Sequence, residues 1–208
     1  MVARVPSEQR RRELVSVALR QYTTLGLAAT TRSSLAAELG VDRVIVHRLY
    51  PDLDDLFVDV IGHVRSVGDA EITAVVEAVD ELSSPAALWE MLLARVVRAA
   101  RAHPLEWRFL FLTPSDPEAA AQLTALRAEV TARVIGELVA RADEPENDEE
   151  RRELAWGATF LYQGLFGSIA RQLTHGDPAD DERFVQYLAS IVEDVVDLPA
   201  WLAARDTT

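Results

Sequence analysis

Arg43, Val44, His47 and Arg48 fall within six consecutive residues, Arg43-Val44-Ile45-Val46-His47-Arg48, at spacings that put all four on one face of a helix. Their types suit contact with a nucleic acid. An arginine can fork onto the two acceptors of a guanine edge, a valine can meet a thymine methyl, and neighbouring cations can hold phosphates. The residues before them read Thr30-Thr31-Arg32-Ser33-Ser34-Leu35-Ala36-Ala37-Glu38-Leu39-Gly40-Val41-Asp42. Thr31 is a helix cap, Gly40 a stop and Asp42 a second cap, which spells helix, turn, helix. In such a unit the first turns of the second helix face the bases, so Arg43, Val44 and His47 are the expected readers. Thr31, Arg32, Ser33 and Arg48 are expected to hold phosphates, helped by backbone N–H groups where the first helix begins. Arg10, Arg11 and Arg12 are placed to reach along the backbone or into a minor groove.

The charge distribution agrees. Residues 1–50 carry eight arginines and four acids, a balance of +4, so a chain of net charge −13 leaves −17 on residues 51–208. An acidic protein with one basic end has reserved that end for a polyanion, and double-stranded DNA is the expected partner. All 21 basic side chains are arginine. Without lysine there is no Gly-Lys-Ser/Thr phosphate loop and no Schiff base, and without cysteine no disulfide or thiolate metal site. No run approaches the roughly 18 apolar residues of a membrane span, and the N-terminus lacks an apolar signal core. A cytoplasmic chain with no membrane partner is the expectation.

The elements that must position these residues read as helices throughout. Ser7 caps a helix to Leu25, with Leu14, Ala18, Tyr22 and Leu25 on one face and Gly26 at its end. The helices from Thr31 and Asp42 follow, and Pro51 breaks the third. A long helix then runs from Asp52 to about Leu82, with Leu56, Val60, Val64 and Val67 in one stripe. Pro85 opens the next, His103-Pro104 interrupts it, and a short apolar segment reaches Leu112. Pro117 begins a helix to about Val139, and residues 143–150 form an acidic loop. Two more helices span about Asp148 to His175 and Ala179 to Val196. The pattern predicts an all-α fold of about nine helices, divided into a three-helix helix-turn-helix DNA-binding head, 1–51, and a helical-bundle body, 52–208.

Ala18, Tyr22, Gly26, Thr30-Thr31, Leu35-Ala36, Gly40-Val41, Tyr50 and Leu56-Phe57 together resemble the TetR-type (TetR/AcrR) helix-turn-helix transcriptional regulators over about residues 11–57. That resemblance implies a homodimer that binds a pseudo-palindromic operator and a small-molecule effector, here read as a repressor released by a hydrophobic or aromatic ligand. The chain departs from the family pattern at Val44-Ile45, His47, Leu49 and Leu53, where customary phosphate contacts are altered. A regulator-like dimer with weakened DNA binding is therefore the alternative.

In the body, the aromatic residues lie on helices that surround a cavity in the resembled fold. Trp89, Trp107, Phe111, Phe160 and Phe166, with His63, Arg108 and Gln163 as polar orienting groups, are the expected ligand contacts. Gly157, Gly164 and Ser168 allow close helix approach, and Phe184, Tyr187, Leu188, Ile191 and Val195 form an apolar stripe. These are the expected dimer contacts. No cofactor or metal site is expected. The rival class, a helical-bundle enzyme, lacks its signals: the residues three before the four histidines are Val44, Val60, Ala100 and Gln172, so no Glu-x-x-His pair exists. His-Glu-x-x-His and Gly-x-Ser-x-Gly are absent too.

Overall fold

Local capping signals define the first elements. In the computed structural model, which describes residues 7–79, 85–139, 152 and 164–195, helix α1 runs Ser7–Thr24. Helix α2, Arg32–Leu39, starts from a capping box in which the Thr31 side chain accepts the Ser34 N–H and the Ser34 side chain accepts the Thr31 N–H. It ends at Gly40, whose φ of 65° is left-handed. The Val41 N–H then closes onto the Ala36 carbonyl at 3.0 Å, a Schellman-type stop. Helix α3, Arg43–Leu49, begins where the Asp42 side chain accepts the Val44 N–H at 2.8 Å.

The longer helices follow: α4 Leu53–Val79, α5 Pro85–Ala102, α6 Pro104–Leu110 and α7 Pro117–Val139. Residues 164–175 form the described part of α8, a 3-10 turn spans Pro178–Asp180, and α9 runs Asp181–Val195. All elements among the described residues are helical, the all-α class that the patterning predicts. The expected start of the eighth helix near Asp148 lies outside the described residues.

Three local expectations change. Ser7 is itself helical rather than a cap. Leu25, placed on the buried stripe of the first helix, is 58% exposed because α1 stops at Thr24 and Leu25 has entered the turn. His103-Pro104 does separate two helices, but Pro104 itself starts α6, where a proline's missing N–H costs nothing.

Two compact units emerge. The first comprises the residues up to Val67 together with Leu105–Leu126. Its core includes Leu14, Ala18, Leu35, Val46, Leu56, Val60, Leu123 and Leu126. An aromatic trio ties α1, α4 and α6 together, with ring centroids at 5.7 Å for Tyr22–Phe57, 5.6 Å for Phe57–Phe109 and 6.3 Å for Tyr22–Phe109. Burial, and then the Asp54 carboxylate, push the Tyr22 phenol above its ordinary range.

The second unit holds Gly68–Pro104 and the chain from Arg127 onward. Here α5 packs on α9, and their buried residues are Leu93, Val97 and Ala100 on one side and Val185, Leu188 and Ala189 on the other. Arg101 clamps Asp181 with two bonds of 2.8 and 2.9 Å, and the Gln172 amide adds a third at 3.1 Å. The Arg101 bonds hold the Asp181 carboxyl below the usual carboxylate range.

Two expectations follow from these contacts. At Gly40 a Cβ would meet nothing within 4 Å, so Gly40→Ala isolates the backbone cost of the left-handed region. It should lower the unfolding free energy in urea by roughly 1–2 kcal/mol. Asp181 is ionised at a lower pH in the folded chain than in the unfolded one. Its contribution is therefore complete above about pH 4 and fades as the pH falls through the folded value. Asp181→Asn should flatten the acid limb of the stability profile below about pH 4, read from denaturant midpoints.

Candidate nucleic-acid interface

The short α3 helix presents its expected contact residues to solvent. Arg43, His47 and Arg48 are exposed, and Val44 is 68% exposed, an unusual position for a large apolar side chain. On the opposite face Val46 and Leu49 are buried, so the helix cannot rotate without exposing its own anchor. Arg32, Arg43, Val44 and His47 line a notch of about 370 Å³. One residue from the start of α2 and three from α3 thus face the same space.

The arginines differ in how far the fold already employs them. Arg32 donates to the Pro51 carbonyl, while its Nε is buried with no partner among the described residues. Arg10 pairs with Glu13 at 2.8 Å. Arg11 lies over the Tyr50 ring, 4.8 Å from its centroid, and 4.0 Å from Asp59. The Tyr50 hydroxyl donates to Asp59 at 2.5 Å. Burial first, and then that bond, push the phenol up to about 12. Arg43 and Arg48 have no ion-pair partner among the described residues. Thr31 and Ser33, at the start of α2, are exposed.

Sequence reasoning passed over Gln21 and Glu38. Gln21 is 4% exposed, yet both ends of its amide are bonded: Ser34 Oγ donates to Oε1 at 2.7 Å, and Nε2 donates to Glu38 Oε2 at 2.5 Å. Arg20 holds the other Glu38 oxygen at 2.6 Å. A signal was present, since Gln21 lies two turns beyond Leu14 on the buried face of α1 and is the polar residue there. Thr30 is also buried, its hydroxyl donating to the Gly26 carbonyl at 3.0 Å.

No protein-family model and no curated protein matches the sequence. Solved structures do match. A TetR-like transcriptional regulator from Rhodococcus sp. RHA1 superposes with a TM-score of 0.63 over 89% of this chain and 96% of its own, at 15% identity. The fatty acid degradation regulator FadR from Bacillus halodurans gives 0.68 over 92% and 96%, at 11% identity. The multidrug binding protein EbrR, complexed with malachite green, gives 0.62 over 88% and 97%, at 20% identity.

This is the TetR-regulator fold.

The residues expected to meet a ligand fall in both units of the chain. His63 of α4 bonds Glu106 of α6 at 3.1 Å. Trp107 and Phe111 stack with centroids 6.3 Å apart, Arg108 is exposed and Phe166 is half-buried. Phe160 and Gln163 lie outside the described residues, as does the side chain of Trp89. A smaller notch of about 150 Å³ in the second unit is lined by Glu71, Arg95, Arg98, Ala99 and Ala102, none of which was expected to bind an effector. Of the dimer stripe, Tyr187 and Ile191 are 63% and 38% exposed, Phe184 is half-buried, and Leu188 is buried on the face that meets α5. Ser168 Oγ donates to the Gly164 carbonyl at 3.0 Å. Gly157 and the side chain of Val195 lie outside the described residues. No group of three or more metal-ligating side chains occurs among the described residues, and no described helix is long and apolar enough to cross a membrane.

The Asp42 cap is local to α3 and accepts one N–H. Asp42→Ala should therefore cost about 1 kcal/mol in thermal or chemical unfolding.

Proposed function

We propose that the chain is a homodimeric, DNA-binding transcriptional regulator. Residues 1–51 would supply the DNA contacts and residues 52–208 the ligand and dimer surfaces. The observation that carries the reading is the capped α3 helix with Arg43, Val44 and His47 exposed beside Arg32 in one notch. Arg43 reads a guanine, Val44 meets a thymine methyl, and Arg48 with the start of α2 holds phosphates. Basic charge gathered on this end of an acidic chain supports DNA over other partners. The TetR fold supports it as well.

A dimer joined through α8 and the exposed side of α9, with Tyr187 and Ile191, sets two α3 helices one helical turn of DNA apart, about 34–36 Å, or a multiple of it. The effector is a small hydrophobic or aromatic molecule, a reading favoured by the malachite green complex of EbrR among the structures of similar fold. Bound to the body, it shifts the population toward a head spacing that no longer fits successive grooves, so the protein acts as a repressor. A preference of about 1.4 kcal/mol for that state lowers operator affinity tenfold. The reading includes no catalytic step, cofactor or metal, and places the protein in the cytoplasm.

The second reading, a regulator-like dimer with weakened DNA binding, has its own observations. Asp54 and Asp55 are exposed at the start of α4, and Arg11 and Arg32 are drawn onto Tyr50 and Pro51.

Binding of the purified protein to DNA from its own upstream region, at two salt concentrations, separates the two. The regulator reading expects tight, salt-sensitive binding that Arg43→Ala weakens by tenfold or more, the equivalent of about 1–3 kcal/mol for a forked guanine contact. Weak binding, equal on every duplex and indifferent to Arg43, supports the second reading instead.

A further inference from the structure

We propose that Gln21, on α1 and outside any expected DNA contact, is a positioning residue for the phosphate contacts at the start of α2. The inference rests on the DNA-binding reading above. A buried amide has one satisfied arrangement here. Its NH2 group must face the Glu38 carboxylate, which accepts at 2.5 Å, so its oxygen must face Ser34, whose hydroxyl donates at 2.7 Å. Arg20 holds Glu38 from the other side at 2.6 Å, which fixes the carboxylate that orients the amide.

The consequence passes to the helix start. Ser34 Oγ carries a single proton. While that proton is given to Gln21, the oxygen's lone pairs face the Thr31 N–H, which donates to it at 2.9 Å. Thr31 Oγ1 returns the contact by accepting the Ser34 N–H at 3.1 Å. With both capping bonds set, the N–H groups of Arg32 and Ser33, which as the first two of the helix have no intrahelical acceptor, point out of the helix end. Without Gln21 the Ser34 hydroxyl turns to the Thr31 carbonyl, already 2.9 Å away, and the capping box loosens. Gln21 thus couples α1 to the direction of two backbone donors aimed at a phosphate. No side chain of the relay need touch DNA.

Gln21→Leu and Ser34→Ala, singly and together, test this by amide hydrogen exchange and by DNA binding across a salt series. Both single variants should raise exchange at the Thr31 amide by about tenfold while amides of α3 keep their protection. Affinity should fall about tenfold at each salt concentration, with the slope of log K against log salt kept, because backbone N–H groups carry no net charge and release no counterion. Discrimination between operator and unrelated duplex should stay as in the unmodified chain, since α3 is untouched. The double variant should be no weaker than either single one. Unchanged affinity in both single variants would overturn the proposal, as would a loss of affinity with the Thr31 amide still protected. If the unmodified chain shows no salt-dependent binding, the regulator reading falls and the phosphate role falls with it. Loss of Thr31 protection in the variants would still report the relay itself.

Discussion

The contact among Tyr22, Phe57 and Phe109 decides where everything in the first unit sits. Three rings from α1, α4 and α6 meet with centroids within 6.3 Å, and edge-on or tilted packing of this kind adds about 0.5–1.5 kcal/mol per pair beyond the apolar area buried. Tyr22 neighbours Gln21, which reaches α2, and Phe57 is followed two residues later by Asp59, which reaches Tyr50 beyond the end of α3. The ring cluster therefore sets the origin from which both polar connections are measured. Val46 and Leu49 close the arrangement from the side of α3. The exposed face of that helix is consequently set by what is buried beneath it.

Electrostatics at this end of the chain is a competition for arginine. Arg10, Arg11, Arg20 and Arg32 each have a partner inside the protein, whereas Arg43 and Arg48 have no ion-pair partner among the described residues. Exposed ion pairs contribute little, about 0–1 kcal/mol, so Arg10 and Arg11 exchange a carboxylate for a phosphate at small cost. Arg20 is different. Its partner Glu38 also anchors a buried amide, and withdrawing it disturbs a bond that water cannot replace.

What could be read from the chain alone was whatever is local. Thr31, Gly40 and Asp42 announce the helix-turn-helix because a cap and a left-handed glycine act on residues within four positions. Leu56, Val60 and Val64 announce the buried stripe of α4 for the same reason. Long-range pairings had no such signature. Nothing near His63 points to Glu106, 43 residues on, and nothing near Arg101 points to Asp181, 80 residues on. Periodicity also assigns a face without saying which neighbour covers it. Leu188 and Tyr187 read as one apolar stripe, yet Leu188 is buried and Tyr187 is exposed. Gln21 was missed because a polar residue on an apolar face looks like an interruption until its two partners are known.

The first unit is discontinuous: its two stretches are separated by Gly68–Pro104. During synthesis Tyr22 and Phe57 emerge well before Phe109, and the unit is complete only when Leu126 has been added. At about 5–20 residues per second the interval from Val67 to Leu126 lasts on the order of 3–12 s. Throughout it the nascent first unit carries an apolar surface that Leu105–Leu126 has yet to cover, and excision of the head at Pro51 would make that exposure permanent. The part of the protein that reads as its most self-contained module therefore matures only after a later stretch of the chain has been made.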